Sequence, residues 1–200
     1  MTAEAYRQFE TTEAPPGEYG VVTEPGTVRL ERTLPGPIER VWSFLTESEK
    51  RGRWLAAGRM EQREGGRADF MFHHADLSSE KTVPKKYRRY KGGMRMLGRV
   101  LRCKPPRLLS FSWGEETGEE SEVTFELTPL RGEVLLVLTH RRLKNRTEMV
   151  SAASGWHSHL GILSDRLHDL KPRPFWSTVT KMEGDYESRI ASDVRGHDGS

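Results

Sequence analysis

The 200-residue sequence contains one cysteine, Cys103. A single thiol excludes an intrachain disulfide and any thiolate metal cluster. Within an apolar stretch such a cysteine acts as a small hydrophobe. No run approaches the ~18 consecutive apolar residues of a membrane span. The opening MTAEAYRQFE lacks the basic-then-apolar order of a secretory leader, so a cytoplasmic protein is expected. Neither sign of charge dominates: 32 Lys+Arg against 29 Asp+Glu leave a net +3, interspersed along the chain. Nucleic-acid binders concentrate their charge on one face or stripe, so no nucleic-acid partner is expected. Gly-x-Ser-x-Gly, the phosphate-binding loop and Gly-x-Gly-x-x-Gly are all missing, which leaves nucleophilic hydrolase and nucleotide-binding readings without a motif.

Histidine does not supply a metal site either. His73 and His74 are adjacent, and neighbours on a strand face opposite ways. His157 and His159 are two apart, which does not share a helix face. No metal and no cofactor is expected.

What is present is apolar material for one core, 34% of the residues, arranged in short alternating runs. Residues 1–26 are polar and broken by proline and glycine, an irregular arm. In 27–34 Val28, Leu30 and Arg32 share one strand face. Pro37 suits the first position of a helix over 37–46, in which Ile38, Val41, Trp42 and Leu45 fall at helical spacing. A second short helical turn covers 47–54, and a short strand covers 58–63. After the Glu64-Gly65-Gly66 turn, four runs alternate with period two: 67–74, 93–103, 107–113 and 121–130. An apolar strand follows over 133–142, with Leu136, Leu138 and His140 on one parity. The acidic stretch 115–120 is a turn, and 75–92, which holds Lys85-Lys86-Tyr87-Arg88-Arg89-Tyr90-Lys91, is a long basic loop where a lid over a pocket mouth could sit.

The last strong pattern is Trp156, Leu160, Leu163, Leu167 and Leu170, an amphipathic helix starting near Thr147 and stopped by Lys171-Pro172-Arg173-Pro174. His157, Ser158, Asp165 and Arg166 fall on its other side, and Asp165 with Asp169 makes a solvated face. The chain thus divides into an arm (1–26), a domain (27–170) and a tail (171–200) whose first part, with Phe175, Trp176, Val179 and Met182, can pack back. A meander sheet with one apolar face needs a cover, and the last helix is the largest one available.

This order resembles the START-like (SRPBCC, Bet v-type helix-grip) superfamily, in the branch similar to the C-terminal domain of the heat-shock protein 90 ATPase activator. The resemblance rests on Leu34-Pro35-Gly36-Pro37-Ile38-Glu39-Arg40-Val41-Trp42, on Trp54-Leu55-Ala56, on Leu108-Leu109-Ser110-Phe111-Ser112-Trp113, and on Leu138-Thr139-His140 followed by Gly155-Trp156 and a leucine-rich helix. It implies an α+β helix-grip fold: a curved antiparallel sheet of six to seven strands around a long C-terminal helix, with two short helices after the first strand. The basic 75–92 segment is longer than in that family, and the N-terminal region is too short for the activator's chaperone-gripping second domain. A chaperone partner is therefore disfavoured.

Such a fold hosts carriers and enzymes alike. The expected activity is binding of a hydrophobic small molecule between sheet and helix. The walls would be Trp42, Trp54, Phe70, Phe72, Met94 and Met96 with Phe111, Trp113, Phe125, Leu138, Trp156 and Leu160, and His140 would be the polar contact. A polyketide cyclase or aromatase-type enzyme is the alternative, with His140 as its one nominated polar group. A chaperone ATPase-associated module is the third reading. Strand edges or the Trp-bearing tail could pair two copies.

Overall fold

The computed structural model describes residues 19–114 and 121–192. The expected acidic turn and the ends of the arm and tail lie outside them. The elements run β1 (Val21–Glu24), β2 (Thr27–Pro35), α1 (Ile38–Thr46), α2 (Ser48–Gly52), β3 (Arg67–Phe72), β4 (Met94–Lys104), β5 (Leu108–Trp113), β6 (Ser121–Pro129), β7 (Glu133–Arg141), α3 (Arg146–Leu167) and α4 (Phe175–Arg189). All seven strands form one antiparallel sheet in the order β1-β2-β7-β6-β5-β4-β3. The architecture is the helix-grip fold that the resemblance to the START-like superfamily implied. No described helix is long and apolar enough to cross a membrane.

Alternation sets the sheet's buried face. Val28, Leu30 and Leu34 of β2 are buried and lie opposite His140, Leu138 and Val134 of β7. Ala68, Phe70 and Phe72 do the same on β3, and Leu109 and Phe111 on β5. Curvature comes from β4. A register shift falls between Val100 and Arg102, and a Cβ on Gly98 would lie 2.3 Å from the Ser112 carbonyl oxygen. Only glycine permits that approach.

Four local expectations are corrected. Residues 21–24 of the arm form a strand, because Gly26 (φ 68°) turns the chain back onto β2. Pro37 caps α1 rather than opening it. Residues 58–63 are not a strand: they make the single isolated bridge Met60–Ala68, next to Ala57–Met71. The carbonyls of Ala56 and Gly58 are taken instead by the buried guanidinium of Arg51. The 75–92 segment is not featureless: 3-10 turns form over His74–Asp76 and Lys85–Tyr90, with Leu77 and Ser78 buried between them.

The largest correction concerns α3. Its start is set by Asn145, whose side chain accepts from the Glu148 backbone N–H, the expected geometry of a helix N-cap. Trp156, Leu160, Leu163 and Leu167 are buried as predicted, while Leu170 lies past the helix end and is 59% exposed. The face expected in solvent is buried too: His157, Ser158 and Asp165 are each under a tenth exposed. The reason is α4, which packs along α3 through Phe175, Trp176, Val179, Met182 and Tyr186. Trp176, offered by the sequence as a pairing surface, is thereby enclosed by its own chain.

Asp165 anchors that helix pair. It accepts from the Arg173 backbone N–H (2.9 Å), Nε (2.9 Å) and Nη2 (2.7 Å). Burial alone would raise its carboxyl pKa, but Arg173's hydrogen bonds and charge outweigh burial and hold it low. Asp165→Ala removes three hydrogen bonds and an ion pair made to the half-buried Arg173, and we expect a loss of about 1–2 kcal/mol in denaturant unfolding. A loss below about 0.5 kcal/mol would place the pair among ordinary surface ion pairs.

Candidate functional site

A cavity of about 370 Å3 lies between the sheet and the first half of α3. Its floor is Phe72, Met94 and Trp113, with Ser121 and His140 from β6 and β7. Its roof is one stripe of α3, Glu148, Ser151, Ala152, Gly155, Trp156 and His159, spaced as neighbours on a helix face. The space has a simple origin. Over this stretch Ser151, Ala152 and Gly155 carry little or no side chain, whereas the sheet below carries rings. A Cβ built on Gly155 meets no atom within 4 Å. Mid-helix glycine costs about 1 kcal/mol relative to alanine, and no close packing requires it here.

The third wall was not foreseen. His74, Tyr87 and Tyr90 come from the two 3-10 turns, and Phe175, Trp176 and Val179 from α4. They pack on one another: His74 stacks on Phe175 at 4.9 Å and Tyr87 lies tilted against Trp176 at 5.4 Å between centroids. The basic loop is held against α4 by Lys86–Glu183 at 2.8 Å. Its tyrosines, rather than its charges, face the cavity.

Of the thirteen predicted wall residues, Phe72, Met94, Trp113, His140 and Trp156 border this space. The others are core. Phe70, Phe111 and Phe125 form a chain of rings 5.0–6.1 Å apart, and Leu138 and Leu160 are fully buried. Trp42 and Trp54 spend their indole N–H groups on Gln62 and the Phe44 carbonyl, and Met96 packs half-buried against the core. Period-two alternation identifies which residues point inward. It does not say where the inside is empty. The small-residue run 151–155 was the available signal for that.

His140 is inward-facing, as its parity indicated, and both of its ring nitrogens are engaged. Trp156 Nε1 donates to His140 Nδ1 at 3.0 Å, and Nε2 lies 2.7 Å from Ser121 Oγ. An indole nitrogen can only donate. Nδ1 therefore carries the lone pair and Nε2 the proton, which it gives to Ser121. Burial pushes the His140 pKa down to about 3, so the ring is neutral at pH 7. It has no free nitrogen with which to take a proton from a bound molecule. Its effect on the cavity passes through Ser121, whose hydroxyl hydrogen is left for another acceptor.

His159 is likewise held, with Nδ1 donating to the Trp54 carbonyl at 2.7 Å. Burial, with His74 adding to it, lowers its pKa to about 3, and burial with His73 lowers His74 to about 4. The two rings lie 5.6 Å apart. Among the described residues no cluster of three or more His, Cys, Asp or Glu side chains is placed to hold a metal ion. Cys103, half-buried on β4, has its thiol pKa raised by burial and by Glu64.

The model of the activator of Hsp90 ATPase homolog 1-like protein family matches residues 35–168. The chain belongs to this family. Of solved structures, the NMR structure of the protein encoded by gene BPP1335 of Bordetella parapertussis is 42% identical, with a TM-score of 0.74 over 90% of this chain and 94% of that one. CalU16 from Micromonospora echinospora is 23% identical, with a TM-score of 0.61 over 83% and 89% of the two chains. DynU16, from the dynemicin biosynthetic locus, is 20% identical, with a TM-score of 0.53 over 73% of this chain and 48% of that one. The last two likenesses concern the fold alone. No curated protein matches. In this member of the Hsp90 ATPase activator-like family the matched span ends at the close of α3. The α4 wall of the cavity therefore lies outside it.

Proposed function

We propose that this protein binds a neutral, hydrophobic small molecule in the cavity beneath α3. The observation that carries the reading is the cleft itself, open at one side, roofed by Ser151, Ala152 and Gly155 and walled by aromatic rings. Ligand sites have this character: largely apolar, preformed, with a few fixed polar groups. Burying ~200 Å2 of ligand surface is worth about 5 kcal/mol before ordering costs. The lining contains no Lys or Arg and one carboxylate, Glu148, so an anion would gain no cation in exchange for its hydration. A cyclase-type reaction has less support, because His140 is neutral with both nitrogens occupied.

Gly155→Leu tests the site without touching a hydrogen bond. The new side chain enters space that is open, so the fold should hold. Leucine is a better helix former than glycine by about 0.8 kcal/mol. The neutral fluorophore N-phenyl-1-naphthylamine is expected to saturate the wild-type protein. The variant should bind it about a hundredfold more weakly while melting no lower than wild type. Absence of saturable binding by the wild type, or equal binding by Gly155→Leu, would sink the proposal.

A further inference from the structure

Three buried side-chain atoms find no hydrogen-bond partner among the described residues: His74 Nδ1, Tyr87 Oη and Trp176 Nε1. All three residues border the same cavity, on the wall made by the 3-10 turns and α4. Buried polar atoms are nearly always paired, and an unpaired one costs about 1–3 kcal/mol. Three at one wall are therefore a feature that needs a partner. Trp176 is the most telling. The residue is 2% exposed, and an indole nitrogen can only donate. Tyr87 Oη lies near the Glu183 carboxylate, a competing acceptor, but without the distance and angle of a formed hydrogen bond. Burial, and then the nearby Glu183 carboxylate, raise its pKa, so its O–H remains protonated.

Resting on the reading of the cavity as a ligand site, we infer that this wall is a polar subsite for an aromatic ligand carrying a neutral hydrogen-bond acceptor, such as a ring ketone, which Trp176 Nε1–H and Tyr87 Oη–H receive together. The aromatic part follows from the rings of Tyr87, Trp176, His74 and Phe175, which pack side by side into one aromatic wall against which a flat body can lie. The neutral part follows from the absence of Lys and Arg in the lining, whose histidines are held neutral by burial. A carboxylate would be buried there facing neutral donors only, with Glu148 in the same cavity.

Fluorene and 9-fluorenone share one shape and differ by a single carbonyl. Each is titrated into the 15N-labelled protein, and affinity is read from backbone and indole N–H shifts. 9-Fluorenone should bind about tenfold more tightly than fluorene and move the Trp176 indole signal downfield, which fluorene should not do. Tyr87→Phe, which removes only the hydroxyl, should cost 9-fluorenone several-fold and leave fluorene unchanged. Trp176→Phe should do the same more strongly. Equal affinities for the two compounds, with an unmoved Trp176 signal, would overturn the subsite while leaving the apolar cavity reading standing. Failure of both compounds to bind would overturn both readings. A Tyr87→Phe variant that loses fluorene and fluorenone alike would show a packing role and also overturn the subsite.

Discussion

Lowering the pH from 7.5 to 4.5 should remove most of this protein's folding free energy. The cause is three histidines sealed in the interior: His140, His157 and His159, each under a tenth exposed. Burial, the largest influence on each, pushes all three pKa values down to about 3. Geometry agrees with burial. His140 Nδ1 accepts from Trp156 and cannot also carry a proton. His157 Nδ1 lies 3.1 Å from Tyr186 Oη, which itself accepts from the Gly20 N–H at 2.7 Å. With a neutral His157 the Tyr186 hydroxyl can donate to Nδ1 while accepting from Gly20, a relay joining α3, α4 and the residue before β1 that a proton on Nδ1 would break. The charges around His157 reinforce this: Arg32, Arg173 and Lys181 oppose its protonation and Asp185 favours it.

The sign follows from linkage. An unfolded histidine takes its proton near pH 6.5 and the folded one only near 3, so the unfolded state binds more protons between those values. Stability is full above about pH 6.5 and falls as the pH drops through that window. Each ring costs up to about 1.4 kcal/mol per pH unit. Three rings over two units come to about 8 kcal/mol as an upper limit, against a typical total of 5–15 kcal/mol. Urea unfolding followed by tryptophan fluorescence at pH 7.5, 6.0 and 4.5 measures it. An unfolding free energy that stays flat across that range would refute the assignment of neutral buried rings.

Replacing Arg51 with methionine should cost about 3–5 kcal/mol, or abolish folding outright. Arg51 is 1% exposed, and among the described residues no carboxylate forms an ion pair with it. Its guanidinium is instead satisfied by carbonyls: Ala56 at 3.0 Å, Thr46 at 3.1 Å, Gly58 at 2.5 Å and Asp69 at 3.2 Å. Those four oxygens belong to α1, the segment after α2 and β3, so one side chain ties the short helices to the sheet edge. Burial lowers its pKa to about 10, partly offset by the Asp69 charge, which still leaves it cationic at neutral pH. It also lies over the Phe70 ring at 5.3 Å. Methionine keeps the volume and removes every donor, so each carbonyl is left buried without a partner. Guanidinium or urea denaturation of Arg51→Met against wild type measures the loss, and Arg51→Lys should recover only a minor part of it because one ammonium cannot span four acceptors. A destabilisation below about 1 kcal/mol would mean that the carbonyls find other donors.

These two centres show where sequence reasoning reaches its limit. Nothing in the local pattern marks Arg51 as interior. Arginine is rarely buried, and the four carbonyls that accept from it come from separate elements. His157 and Asp165 were assigned to a wet face because a helix with leucines on one side ordinarily presents the other to water. The apolar residues Phe175, Trp176, Val179 and Met182 mark the tail as able to pack back, but their spacing does not say that they bury the second face of α3. The helix stop at Lys171-Pro172-Arg173-Pro174 was legible, and the same segment supplies the Arg173 that pairs with Asp165.

The amino-acid sequence alone determined the strand faces, the two short helices and the α3 stripe, because period-two and helical spacings are local signals that each segment carries by itself, while the helix-grip architecture was implied by the motifs shared with the START-like superfamily. Only the tertiary structure decided which inward side chains are core and which border a cavity, since emptiness depends on what stands opposite: Gly155 across from Trp113 leaves room, whereas Phe70 beside Phe111 leaves none. The polar wall was invisible for the same reason. His74, Tyr87 and Trp176 are up to about a hundred positions apart, and they share a surface only once α4 has folded back against the grip.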